Sequence, residues 1–297
     1  GGNDERGGIK GNITVNIEET DPCNKPIIIE NLVGGGNSAT FPGTEEDGVT
    51  PIPSGTNNLH TITVNVKSAT RIDNVYGGCF NAEAIANTNV NINMLQGDEA
   101  KGERRRLPND YSTRAVIPAN ISDVQTNYVS IVPTDGKSVV GYYTDAAGTN
   151  PATGVANGST TYYEKQVTGV IKQELGTIGN VYGGGKQGKV TGNTTVHIGT
   201  ESTVPIMERD ATTGVIHADI VNGQYTNIVW EDKTVLGAHI EGNVYGGGEE
   251  ADVTGNTVVN ICAKETSEGS GVYNSVAEGG EKVTIGGNVF GGGKGLY

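Results

Sequence analysis

One phrase recurs along this chain and constrains its fold more than any other feature. It reads Asn74-Val75-Tyr76-Gly77-Gly78, Asn180-Val181-Tyr182-Gly183-Gly184-Gly185, Asn243-Val244-Tyr245-Gly246-Gly247-Gly248 and Asn288-Val289-Phe290-Gly291-Gly292-Gly293, with a more degenerate copy at Asn31-Leu32-Val33-Gly34-Gly35-Gly36. Self-similarity at intervals of some tens of residues marks a stacked repeat architecture, because one unit alone cannot bury its apolar side and borrows that of its neighbours. A second phrase follows at a constant distance. Gly185 to Asn193, Gly248 to Asn256 and Cys79 to Asn87 are each eight residues apart, so one turn geometry serves all three copies.

The second phrase alternates. Thr194, Val196 and Ile198 take every other position, as do Thr257, Val259 and Ile261, and the runs Asn12–Ile17 and Thr61–Val66 read the same way. Period two is the signature of a half-buried strand. Short β-branched strands between glycine corners predict an all-β chain built as a β-solenoid, a parallel β-helix or β-roll with irregular coils, carrying inserted β-hairpins or a small β subdomain. Equivalent residues then form ladders. Val15, Val64, Val90, Val196 and Val259 are expected to point inward. Tyr76, Tyr182, Tyr245 and Phe290 are expected to stack at about one strand spacing, ~4.8 Å. Asn12, Asn87, Asn193 and Asn256 are expected at a corner, bonded amide to amide along the stack. The glycines suit such a corner through positive φ or close backbone approach.

The first glycines of the triplets at 34 and 77 lie 43 residues apart and those at 246 and 291 lie 45 apart, which reads as the basic period; 183 to 246 is 63 and 77 to 183 is 106. The excess implies two insertions. The repeats are assigned to residues 1–94 and 172–297, an inserted β subdomain to 95–171 and a smaller insertion to 201–237. Inside the larger one, Tyr128–Val132 and Ser138–Tyr142 flank Pro133-Thr134-Asp135-Gly136-Lys137, a hairpin signal with an Asp-Gly turn. Val167–Leu175 is the best short helix candidate and reads equally as strand.

Glycine supplies 47 of 297 residues, more than double the ~7% of ordinary chains, while bulk is scarce: three Phe, one Trp and two Met. That suits a thin stacked core. No apolar run approaches the ~18 residues of a membrane span. Net charge is −14, from 20 basic and 34 acidic residues, which disfavours nucleic acid and anionic lipid. The one basic cluster, Arg104-Arg105-Arg106, reads as a solvated loop. Cys23, Cys79 and Cys262 lack metal spacing and are odd in number, so buried free thiols are expected rather than a disulfide framework. The chain opens on Gly1-Gly2-Asn3 and closes on Gly293-Lys294-Gly295-Leu296-Tyr297, within a repeat at both ends, which reads as a segment of a larger polypeptide, monomeric as a fragment.

The phrase G-N-V-Y-G-G-G followed by V-T-G-N-T-x-V-x-I resembles repeats of large glycine-rich adhesin-type surface proteins of gut-dwelling Gram-negative bacteria, over about a third of the chain. That resemblance implies a β-solenoid exposed outside the cell at the bacterial surface, with no catalytic residues to carry over. Gly141-Tyr142-Tyr143-Thr144-Asp145 and Thr160-Thr161-Tyr162-Tyr163-Glu164-Lys165 are similar to the closing segment of β-grasp-like repeats in bacterial surface proteins such as internalins.

Three chemistries could use such a scaffold. Calcium-binding glycine repeats need an aspartate in every turn, and the slots after the triplets hold Lys186-Gln187, Glu249-Glu250 and Lys294-Gly295 instead. Polysaccharide cleavage needs paired carboxylates on one face; Glu249, Glu250 and Asp252 are close, with Asp73 and Glu241 also available, but the matching slots hold Lys186, Gln187 and Lys189, and no basic partner is evident. His60, His197, His217 and His239 are scattered, without a nucleophile to orient. The reading is therefore a non-enzymatic adhesin or rigid stalk with no catalytic, metal or cofactor site, contacting a host or bacterial glycan or protein through aromatics of the insertions: Tyr142, Tyr143, Tyr162, Tyr163, Tyr225 and Trp230. The same tyrosines read alternatively as packing for small inserted cores. A carbohydrate-active β-helix enzyme with an acidic cleft is the other function.

Overall fold

The computed structural model describes residues 4, 7–19, 26–45, 47, 49–53, 59–95, 105–106, 116–117, 121–171, 175–208, 216–222, 224–235, 237–267, 270–275 and 283–295. Cys23 lies outside them. The fold is all-β, with no helix among the described residues. Two compact units are present: Gly1–Gly97 with Leu175–Glu208 and His217–Tyr297, and Asp98–Glu174 with Arg209–Ile216.

The first unit holds the repeats. Each contributes a strand to a first parallel sheet, in the order Ile13–Glu18, His60–Ser68, Ala86–Ile92, Thr194–Ile198 and Thr257–Ile261. Each also contributes to a second parallel sheet through Ile28–Val33, Arg71–Tyr76 and Thr177–Tyr182, then through the paired short strands His239–Ile240 with Val244–Tyr245 and Thr284–Ile285 with Val289–Phe290. A third line of single parallel bridges joins Phe41, Ala84, Val190 and Val253. Sequence equivalence becomes register: Val15 pairs with Val64, Val64 with Val90, Val90 with Val196 and Val196 with Val259. Val64, Val90 and Val196 are fully buried and share one core with Ile72, Val75, Ile178 and Val181 of the second sheet. Burying such a side chain contributes ~1.5–3 kcal/mol, and here each valine meets its register partners in the neighbouring repeats.

The aromatic ladder forms as the spacing predicts. Successive ring centroids from Tyr76 to Tyr182, Tyr245 and Phe290 are 5.0 Å apart and nearly parallel. Below it, the glycine corner answers a question of cause. A Cβ on Gly77 would lie 2.3 Å from the Gly183 carbonyl oxygen, and one on Gly183 would lie 2.2 Å from that of Gly246, with no positive φ at either. Close approach of repeats, not a left-handed backbone, demands glycine there. Buried Thr88 and Thr194 fix the second phrase to this corner, their hydroxyls donating to the Gly183 and Gly246 carbonyls at 2.5 Å. The corner asparagines bond differently from the amide-to-amide expectation. The Oδ1 of Asn12, Asn87 and Asn193 accepts the backbone N–H of Thr61, Asn193 and Asn256, respectively.

The basic period is shorter than the glycine spacing suggests. Strand His60–Ser68 pairs with Ala86–Ile92 at an offset of 26 residues. Spacings of 43 and 45 arise because an excursion lies inside each of those intervals. One of them holds an unpredicted hairpin, Ala263–Glu265 with Tyr273–Ser275. This hairpin, the larger insertion and the smaller insertion all leave the repeat at one point, after the first-sheet strand and before the second-sheet strand.

In the second unit Ile121–Ile131 and Tyr162–Ile171 pair antiparallel, and Tyr142–Tyr143 joins the same strand from its other side. The segment 167–171 is therefore strand; residues 172–174 lie outside the described residues. The Asp135-Gly136 turn exists, with Gly136 at φ 76° and the Lys137 N–H donating to the Thr134 carbonyl. The hairpin expected around it does not. Tyr128–Ile131 pairs with Tyr162–Lys165, because that alternating run is longer and gives the strand more partners than residues 138–142 can. Arg105–Arg106 is likewise not a loop but a short strand against 168–169.

Candidate functional site

The outward side of the first sheet carries two uncharged rows. Asn16, Asn65, Asn91, His197 and Asn260 occupy one register position of the five strands. Nδ2 of Asn65 donates to Asn16 Oδ1 at 2.8 Å, Nδ2 of Asn91 to Asn65 Oδ1 at 2.9 Å, and the Asn260 amide meets His197 Nδ1 at 3.3 Å. Burial pushes the His197 imidazole below its ordinary pKa, so this row is neutral at neutral pH. Two residues earlier on each strand, Thr14, Thr63, Asn89 and Thr195 form the second row. All are exposed or half-buried.

Two residues beyond Asn65 on the same strand, and hence on the same side, stands Lys67. Its Nζ donates to the Pro205 carbonyl at 2.6 Å, lies 3.8 Å from Glu18 Oε2 and sits 5.4 Å from the centre of the Trp230 ring. Trp230 opens the strand Trp230–Thr234, paired antiparallel with Thr203–Met207. Leu95, Val204, Ile206 and Val235 are buried together in this region of the unit. Trp230 remains 52% exposed, a cost that a half-buried surface strand does not require. A second hairpin, Asp219–Val221 with Gln224–Thr226, sets Tyr225 across from Ile220, both exposed.

The four remaining predicted aromatics belong to the second unit. Tyr142 and Tyr162 pack on buried Val139, Ala152 and Ala156. Tyr143 meets Tyr128 edge to face at 5.1 Å and pairs across strands with Tyr163. All four are half-buried, so packing accounts for Tyr142, Tyr143 and Tyr162, while Tyr225 stands exposed and Trp230 keeps half its surface beside Lys67.

The acidic corner differs from the expectation that its carboxylates lack basic partners. Glu249 accepts the Tyr76 hydroxyl at 2.6 Å and the Lys294 ammonium at 2.9 Å. Glu250 accepts the Gln187 amide at 2.8 Å. Lys294 occupies the slot one repeat on from Glu249, and partners of opposite sign in one slot are attracted along the stack. Burial raises the Glu249 pKa, but the hydrogen bonds from Tyr76 and Lys294 outweigh it and leave the carboxyl below its ordinary value; burial, and then the hydrogen bond to Glu249, push the Tyr76 phenol upward. A carboxylate depressed on folding stabilises the fold above its unfolded pKa and loses that contribution as pH falls through its folded one. The melting temperature should therefore drop in acid below the ordinary glutamate range, and Glu249→Gln should lower the neutral-pH melting temperature and reduce that acid-side slope. An unchanged slope, followed by circular dichroism, would show that the corner is merely solvated.

Among the described residues no group of three or more His, Cys, Asp or Glu is placed to hold a metal ion. Cys79 is a buried free thiol filling a triplet-glycine slot, whereas Cys262, contrary to expectation, is exposed, at a left-handed position (φ 51°) just past its strand. No helix of the described residues is long and apolar enough to cross a membrane. Compared with known proteins, the chain matches no family model, and no curated protein or solved structure shows significant similarity to it. Sequence reasoning missed Lys67 and the neutral outward rows. Their signal was present in the polar half of the alternation, where Thr and Asn stand in place of Lys and Glu.

Proposed function

We propose that this chain is a non-enzymatic, extracellular segment of a bacterial surface protein, in which a β-solenoid acts as a rigid stalk and its insertions make contact with a glycan or protein of a host or bacterial surface. The observation that carries the reading is where the polar groups of the repeat go. The corner asparagines, the inward threonines, Glu249 and Tyr76 are all engaged by other repeats, which supports a role in length and rigidity. Three parallel lines of pairing per repeat support the solenoid. Exposed aromatics on insertions of a rigid scaffold support recognition, and Tyr225 and Trp230, on the hairpins of the smaller insertion, fit that role best. The resemblance of the repeat phrase to adhesin-type proteins supports the location.

The test uses the labelled chain on bacterial cells, epithelial cells and a glycan array. Binding is expected, and Tyr225→Ala with Trp230→Ala should weaken it by about tenfold or more, a loss of ~1.4 kcal/mol or more, without moving the thermal transition. Release of reducing ends from polysaccharide by the chain, abolished in Glu250→Gln, would instead establish the enzyme reading.

A further inference from the structure

We propose that the uncharged outward face of the first sheet, bordered by Trp230, is a binding platform for a neutral, extended polysaccharide of the β-1,4-linked kind, running along the stack. This rests on the glycan-recognition reading above and names where the sugar lies and of what class it is.

The first argument is charge. The chain carries −14 overall, yet the two rows contain only Asn, Thr, His and, in the last strand, Val258. A charged polymer laid there would lose hydration without meeting a counter-charge. A ligand of hydroxyls and ring C–H groups exchanges water for amide and hydroxyl partners at little desolvation cost. Lys67 at the border is turned to Pro205 and Glu18 and does not make the face cationic.

The second argument is order. An amide offers two N–H donors and an acceptor oxygen with two lone pairs. The bonds along the asparagine row use one N–H of Asn65 and of Asn91 and one lone pair of Asn16 and of Asn65. The groups left over are held in one orientation, so a ligand need not freeze them, and pre-organisation of this sort raises affinity by lowering the entropy cost.

The third argument is spacing. Rows repeat at one strand spacing, ~4.8 Å along the stack, and lie two residues, about 6.7 Å, apart along each strand. An extended β-1,4 chain advances by close to one strand spacing per sugar and turns its hydroxyls alternately to the two sides, so successive sugars meet successive strands. A coiled α-1,4 chain does not keep that step. At the border, the half-exposed indole of Trp230 offers the flat apolar surface on which the C–H face of a sugar ring rests.

The experiment is calorimetric titration of the whole chain with cellohexaose, chitohexaose, maltohexaose and hexagalacturonate. At least one of the two neutral β-1,4 hexasaccharides is expected to bind, with maltohexaose and hexagalacturonate weaker by about tenfold or more. Thr195→Lys should weaken binding at least about tenfold, and Trp230→Ala should weaken it as well. If Thr195→Lys shifts the thermal transition, the paired Thr63→Ala and Thr195→Ala changes take its place and should still weaken binding. Failure of both β-1,4 hexasaccharides to bind, or equal binding of all four, overturns the platform and leaves the surface-binding assay to judge the wider reading. Loss in Trp230→Ala with none in either threonine variant also overturns it, and returns recognition to the insertions alone.

Discussion

Gly183→Ala should destabilise the repeat unit by about 3 kcal/mol, a drop of roughly 6–12 °C in melting temperature for a unit of this size. The added methyl would lie 2.2 Å from the Gly246 carbonyl oxygen and 3.1 Å from both its carbon and Val196 Cγ2. Two of these three contacts are backbone, which cannot rotate away, so relief requires one repeat to move off the next. That movement would break the Gly183 N–H bond to the Tyr245 carbonyl and strain the Thr194 bond to Gly246. Gly11→Ala is the matched control: its Cβ meets nothing within 4 Å, and little change is expected. Thermal denaturation of the two variants by circular dichroism decides the matter, and equal stability would mean that the corner has slack.

Tyr182→Ala should cost more, ~3–5 kcal/mol, the range for removing a large aromatic from a core. Tyr182 is 2% exposed and lies between two rings, Tyr76 and Tyr245, each 5.0 Å away. Its removal leaves a gap open to both neighbours and the corner beneath holds no side chain that can fill it, because glycine is required there. Tyr182→Phe keeps the ring and should cost no more than about 1.5 kcal/mol, the net worth of an ordinary hydrogen bond. A denaturant titration placing both variants near wild type would mean that the ladder is held by its backbone alone.

The repeat phrases made the strands, their register and both ladders legible, because identical side chains in identical slots can meet only when repeats stack in parallel. The period was misread for a physical reason. Glycine triplets mark the second sheet, and every interval between them contains an excursion, so only the first sheet, at residues 60 and 86, exposes the 26-residue offset. Pairing within the larger insertion was harder still. A turn signal such as Asp135-Gly136 states that the chain reverses, but the strand partner is decided by which run offers the longer ladder, and 162–171 lies far along the chain. At the candidate site, Tyr225 and Trp230 were legible as aromatics of the smaller insertion. Lys67 beside Trp230 was not, since 163 positions separate them and only the fold brings them within 5.4 Å. The Lys294–Glu249 pair becomes visible only when adjacent repeats are set in register, where opposite signs share one slot and attract.

The parallel ladders carry a mechanical consequence. Hydrogen bonds between repeats run along the stack, so tension applied in that direction loads them end on, a few at a time, rather than shearing whole strands at once. One repeat occupies ~4.8 Å of the stack, but the 26-residue length would release roughly 85–95 Å of chain when it peels off. Under such a load the stack gives way one repeat at a time, and each released repeat re-forms on the neighbour that stays paired.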